Sequence, residues 1–168
     1  MHAQERQQEI LKRLHQSAHP ISASALAERF SVTRQVIVGD IALLRSSGAD
    51  ILATPRGYCI QGAAPGLVRR VAVRHTPHRM ETELNIMVDN GCTVVDVIVE
   101  HPLYGQLTGS LQLSTRAEVE QFMARSLTTQ PLSALTGGIH LHTLLCPDEA
   151  AFQRVREALR QEDILLED

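Results

Sequence analysis

The stretch Val94-Val95-Asp96-Val97-Ile98-Val99-Glu100 leaves the chain little choice of structure. Val94, Val95, Val97, Ile98 and Val99 are β-branched, and such side chains lose rotamer freedom in a helix but pack well on a pleated surface. A run this apolar suits a strand buried on both faces, at the centre of a sheet. Its surroundings supply the rest of that sheet. Leu67 to Arg74 alternates apolar and basic residues, with Val68, Val71 and Val73 set against Arg70, Ala72 and Arg74, and reads as a strand ending at His75-Thr76-Pro77-His78. Glu81 to Asn90 carries Leu84, Met87 and Val88 at helical spacing. His101-Pro102-Leu103-Tyr104-Gly105 breaks the central strand, and Gln106 to Leu113 resumes as another. Thr115 caps a helix reaching Ser126, with Val119, Phe122 and Met123 inward. Pro131 to Gly138 is a loop leading to a strand from Ile139. Asp148 caps a last helix with Phe152, Val155 and Leu159 inward, and Ile164-Leu165-Leu166 makes a final strand. The order β-α-β-β-α-β-α-β describes an α+β sandwich, helices on one side of a mainly antiparallel sheet.

Residues 1–62 have a different character. They hold seven Arg and Lys against five Asp and Glu, whereas residues 63–168 hold nine against fourteen, so an overall charge of −3 conceals a weakly basic front on an acidic body. The change of sign coincides with Gln61-Gly62-Ala63-Ala64-Pro65-Gly66, which reads as a linker, and divides the chain into domains at 1–62 and 67–168. No run approaches the length of a membrane span, and the first residues are too polar for a signal peptide. Cys59, Cys92 and Cys146 are scattered and odd in number, the usage of free thiols in a reducing cytoplasm.

Within the front, Gln4 to Ser17 places Ile10, Leu11 and Leu14 on one helical face, and His19-Pro20 ends it. Ser22 or Ser24 caps a second helix, Ala23 to Phe30. After Ser31-Val32-Thr33 a third helix runs from Arg34 to about Ser47, with Thr33 as its N-cap, Val32 and Ile37 as a hydrophobic staple, Ile37, Ile41 and Leu44 buried and Gly48 as the stop. Two helices joined by a short turn, the second opening with polar side chains, is the helix-turn-helix pattern. Ile51 to Thr54, a Pro55-Arg56-Gly57 turn and Tyr58 to Ile60 add a hairpin, the wing. The string from Ser31 to Arg45, followed by Thr54-Pro55-Arg56-Gly57-Tyr58, resembles the winged helix-turn-helix of bacterial repressors. Thr33, Arg34 and Gln35 stand at the start of the recognition helix, where Arg34 and Gln35 reach base edges in the major groove. Arg56 at the wing tip suits a phosphate or the minor groove. Arg45, late in the helix, suits either a phosphate or an internal ion pair with Asp40.

Histidine carries the chemistry of the second domain. In Gly138-Ile139-His140-Leu141-His142 two imidazoles share one face of a strand, about 6 to 7 Å apart, with apolar Ile139, Leu141 and Leu144 around them. The spacing serves equally a pair of metal ligands and the wet face of an amphipathic strand. His75 or His78 on the preceding loop, and Glu83 or Glu81 on the helix that loop feeds, complete a set of three nitrogens and one carboxylate. Such a set suits one divalent transition metal per chain, among zinc, nickel, iron, manganese and cobalt. There is no His-Glu-x-x-His motif and no Gly-rich phosphate loop. His101 follows a buried strand and precedes a Pro-x-Tyr-Gly turn, so its ring is held; it fits a contact to a bound organic ligand or a cap on its own strand.

Val95-Asp96-Val97-Ile98-Val99-Glu100-His101-Pro102-Leu103-Tyr104-Gly105, Pro131 to His142 and the His75 to Glu83 spacing together resemble the 3H domain. In nicotinate-responsive bacterial repressors that domain follows a winged helix, in the order found here. The resemblance covers nearly the whole chain, with Leu103 where valine is usual and Gly39 in the recognition helix as departures. It implies a homodimer on operator DNA before NAD-synthesis or niacin-uptake genes, nicotinic acid as co-repressor, and a divalent metal at His75, Glu83, His140 and His142. The ligand would then fill an open metal position, with His101, Tyr104 and the Thr136-Gly137-Gly138 loop around it, the loop donating hydrogen bonds. Two other readings use the same residues: a metal-dependent hydrolase tethered to DNA, and a sensor of the metal itself.

Overall fold

The computed structural model describes residues 1–62 and 66–167; of the linker, residues 63–65 lie outside the described residues. The chain divides into two compact units, Met1–Ala63 and Ala64–Asp168.

The first unit holds α1 (Ala3–Gln16), α2 (Ala23–Phe30), α3 (Arg34–Ser46), β1 (Ile51–Thr54) and β2 (Gly57–Ile60). Ser22 is the cap of α2, its Oγ accepting from the Ala25 amide at 3.1 Å, and Thr33 Oγ1 accepts from Val36 N at 3.3 Å to start α3. Ser31 takes a left-handed conformation that closes the turn between these helices. Ile10, Leu14, Leu26, Ile37, Ile41 and Ile51 meet in one buried cluster, so the amphipathic stripes of the three helices satisfy one another. β1 and β2 pair from Ile51↔Ile60 to Thr54↔Gly57, and Ile21 joins by a two-bond bridge to Tyr58. At Gly57 (φ +132°) a Cβ would lie 2.4 Å from the Ile21 backbone, so only glycine lets the hairpin dock there.

The second unit contains a four-stranded antiparallel sheet in the order β3 (Leu67–Arg74), β6 (Ile139–Cys146), β4 (Thr93–His101), β5 (Gly105–Leu113). The run around Val97 thus lies between two partners. α4 (Met80–Asp89) connects β3 to β4 across β6, and α5 (Arg116–Ser126) connects β5 to β6 across β4. With α6 (Glu149–Gln161) these helices share one core with the sheet, built from Val71, Val73, Leu84, Met87, Val94, Leu113, Val119, Leu144, Phe152, Val155 and Leu159.

Four sequence readings change. Ile164 to Leu166 is not a strand: Leu165 forms a single bridge to Val73, flanked by bonds from Arg74 N to Ile164 O and from Leu166 N to Ala72 O. Val68 is 61% exposed, because pleat parity sets it with Arg70 rather than with Val71 and Val73. The loop before β6 contains a 3₁₀ turn, Leu132–Thr136. The two faces of β6 are the reverse of a wet histidine face: His140 and His142 point with Leu144 and Cys146 into the helix-covered core, while Ile139 is 43% exposed.

Candidate metal centre and nucleic-acid interface

Strand register assembles the centre. Val71 stands opposite His142 and Val73 opposite His140, so the next inward position on that side is His75, whose amide donates to Gly138 O at 3.4 Å. The 3₁₀ turn Pro77–Arg79 then carries the chain into α4, and Glu83 in its first turn projects among the three imidazoles. Glu83 is fully buried, and His75, His140 and His142 are 9%, 4% and 3% exposed.

His140 Nε2 lies 3.1 Å from Glu83 Oε1, His142 Nε2 lies against the same oxygen and His75 Nε2 against Oε2. The ligand atoms of His75, Glu83 and His140 all lie within 4.8 Å of one another, and the His140 ring sits edge-on to both neighbours. On the far side of each ring, Nδ1 donates to a backbone carbonyl: His75 to Thr76 O at 2.7 Å, His140 to Gly138 O at 2.8 Å, His142 to Asp96 O at 2.7 Å. A neutral imidazole has one N–H, so spending it on Nδ1 turns three Nε2 lone pairs toward a carboxylate. A divalent cation would satisfy such a group of acceptors, as would protons on the imidazoles, and carbonyl-anchored histidines are the usual orienting arrangement of metal sites. His75 Nε2 has no partner of hydrogen-bond geometry, as a ligand atom would. Burial would raise the Glu83 carboxyl, but His142 and His140, when protonated on Nε2 as well, supply charge and hydrogen bonds that hold it well below the usual carboxylate range. Burial pushes His75 down; it opposes His142 too, but Glu83 raises that imidazole.

The competing residues fall away. His78 is exposed and pairs with Thr76 Oγ1, and Glu81 is exposed one helix face from Glu83. The three accepting carbonyls left no trace in the sequence. Asp96 O is turned to His142 at a register shift between Val94 and Asp96, a bulge that residue types did not announce.

A 3H-domain profile matches residues 68–168, and a helix-turn-helix-domain profile matches residues 6–59. The chain is 46% identical over 167 residues to the probable transcription repressor NiaR of Thermotoga maritima, covering 98% of this chain and 95% of that protein. It is 42% identical over 169 residues to the transcription repressor NadR of Bacillus subtilis, covering 97% and 94% respectively. The chain belongs to the NiaR-type repressor family. Membership accounts for the order of its two units, a DNA-binding helix-turn-helix followed by a 3H domain. Among the described residues no helix is long and apolar enough to cross a membrane.

Two cavities adjoin the centre in this NiaR-type chain. One, of about 750 Å³, is lined by Ile98, Glu100, His101, Thr136, His140 and Leu141 among others, where β4 and β6 cease to pair beyond Ile98↔Leu141. A second, of about 500 Å³, is lined by His75, Ser133, Gly137 and Gly138. Tyr104 lines neither; it is 69% exposed and packs on the His101 ring at 5.1 Å. The glycine loop does not have the donors expected of it. Thr136 Oγ1 donates to Ile139 O or Ser133 O, and the amides of Gly137 and Gly138 both donate to Ser133 O. His101 Nδ1 accepts from the amides of Leu103 and Tyr104 at 3.1 and 3.3 Å, so the ring does cap its turn.

In the first unit, Thr33, Arg34 and Gln35 are exposed at the start of α3, Arg56 occupies the hairpin turn and Arg45 is exposed near the end of α3. An Arg45–Asp40 pair does not form. Asp40 is buried and taken by α1: Arg6 Nε at 2.6 Å and Gln7 Nε2 at 3.0 Å. That polar residue inside the recognition helix anchors it to α1, a role the sequence did not signal. At Gly39 a Cβ would meet nothing within 4 Å, so packing does not require glycine there.

Proposed function

We propose that this chain is a metal-containing, nicotinic-acid-responsive transcriptional repressor of NAD-synthesis or niacin-uptake genes, acting in the cytoplasm as a homodimer on operator DNA. Residues 1–62 bind DNA through Arg34, Gln35 and Arg56, with Thr33 and Arg45 at its margins. Residues 67–168 hold the ligand. The observation that carries the reading is the convergence of three Nε2 lone pairs on buried Glu83, in a chain whose other unit is a helix-turn-helix. His75, Glu83, His140 and His142 would hold one divalent transition metal, and bound there it supplies a Lewis-acidic position for a carboxylate. The protein's own groups do the remainder: the cavity around Ile98 and Leu141 takes an aromatic ring out of water, and His101 orients it. Ligand that fits one dimer geometry better than another shifts the spacing of the two recognition helices and thereby operator affinity.

A hydrolase reading finds no support in the relatives, which are named transcription repressors, and it loses Glu83 as its base. Both Glu83 oxygens are engaged by histidines and Glu81 is exposed. The chain is a regulator, not an enzyme. Titrating metal and nicotinate separately against affinity for the upstream region of the genes it controls tests the proposal: nicotinate is expected to change affinity only when metal is bound. A response to metal alone makes the protein a metal sensor, and no response to either refutes the reading.

A further inference from the structure

We infer that Cys92 and Cys146 form a modification site, a pair of core thiols that a small hydroperoxide such as hydrogen peroxide closes into a disulfide across β4 and β6. The two residues are far apart in sequence, but strand register brings them together. Thr93 faces Leu145 and Val94 faces Leu144, so the next step of the same ladder sets Cys92 opposite Cys146. Both side chains lie on the inward face with Val94 and Leu144 and belong to the buried core. Facing residues of antiparallel strands are about 4.5 or 5.5 Å apart at Cα, within the span a disulfide bridges. The sulfurs lie 2.9 Å apart, the Cys92 S–H donating to Cys146 Sγ. Closing them to the roughly 2.05 Å of a disulfide takes a movement of less than 1 Å.

Both backbones are pinned at that spacing. Cys92 N donates to Met87 O at 3.2 Å at the end of α4, and Cys146 pairs on its other side with Leu67 of β3. Each cysteine is 1% exposed, yet each adjoins an exposed residue, Gly91 or Pro147, at the end of the sheet. A brief opening there admits a molecule as small as hydrogen peroxide. Burial pushes both thiols up, Cys92 to about 12, but the Cys92 hydrogen bond and Arg69 draw Cys146 back down. Cys146 therefore ionises first, and the thiolate is the nucleophile. It attacks one peroxide oxygen and the O–O bond breaks. The departing hydroxide takes up the thiol's proton as water and leaves Cys146 as a sulfenic acid. Cys92 Sγ then attacks the Cys146 sulfur, the S–O bond breaks, and the hydroxyl leaves with the Cys92 proton as a second water. The two sulfurs together lose two electrons and the peroxide gains them. The bond ties β4 to β6 and removes freedom from the unfolded chain between them.

The test uses full-length Cys59→Ala protein, in which Cys92 and Cys146 are the cysteines that remain, treated with hydrogen peroxide. Quenching, unfolding in the presence of an alkylating agent and peptide mapping should find the two cysteine peptides cross-linked within one chain and neither cysteine alkylated. The treated protein should melt about 5 °C or more above the untreated protein. Cys92→Ala treated in the same way reports what peroxide does to the other side chains and should show no such rise. If that variant does not fold, the mapping and melting of Cys59→Ala decide alone. Two alkylated cysteines after prolonged treatment, separate sulfinic acids, cross-links only between chains, or a disulfide without a rise in melting temperature would each overturn the inference.

Discussion

Gly138 offers the most direct test of how the centre is built. Its φ is +93°, a region where any other residue is strained by about 1 to 3 kcal/mol. A Cβ there would lie 2.3 Å from His75 O and 3.2 Å from His75 C. These are backbone atoms with no rotamer to escape into, so reaching ordinary contact at 3.4 Å parts the two segments by 3.4 − 2.3, or 1.1 Å. The carbonyl of Gly138 also accepts from His75 N and from His140 Nδ1, so one displacement disturbs two of the three imidazoles. Gly138→Ala should therefore weaken metal binding about 10- to 100-fold, the usual effect of losing an orienting contact, in addition to lowering stability. Gly137→Ala is the control. Its φ is +63° but a Cβ meets nothing within 4 Å, so it should cost about 1 kcal/mol and leave the metal in place. Metal content after dialysis against a graded chelator, with melting curves for both variants, reads the outcome. Equal metal retention in the two variants would refute the claim that Gly138 is glycine to let His75 approach.

Purified protein should carry about one divalent metal ion per chain, and replacing both His140 and His142 by alanine should remove it; full occupancy of the double variant in elemental analysis rules out the site. Arg34→Ala should cost about 1 to 3 kcal/mol on the operator and relax base preference, whereas Arg56→Ala should weaken all DNA alike and lower the salt slope by about 1. If gel-shift titrations find both unchanged, these arginines do not face DNA. Asp40→Ala strands Arg6, which is 13% exposed, and should cost about 3 to 5 kcal/mol in urea unfolding; a loss no larger than an exposed pair gives, about 1 kcal/mol or less, would make the pair incidental.

Short-range chemistry was legible along the whole chain. Caps at Thr33, Thr115 and Asp148, the Pro55-Arg56 hairpin turn and the β-branched run at Val94 acted through neighbours in sequence, and the helices and strands they delimit stand where the pattern put them, apart from the last strand. Ile164 to Leu166 has strand-forming residues, yet its pairing stops at one bridge to β3 with a backbone bond on either side. Residue types also nominated His140 and His142 as a pair, since two histidines at a spacing of two must share a face, and left His75 or His78 and Glu83 or Glu81 to complete the set. They did not say which face. Burying imidazoles and exposing Ile139 opposes hydrophobic patterning, and it is settled by the register that sets His140 and His142 beside Val73 and Val71 and by the carbonyls that take their Nδ1 protons. Choosing His75 over His78, Glu83 over Glu81, and Arg6 over Arg45 as the partner of Asp40 likewise depended on distance between segments far apart in sequence. The composition of the chain supplied the ligands; the packing of α4 and β3 against β6 aimed their nitrogens at one carboxylate.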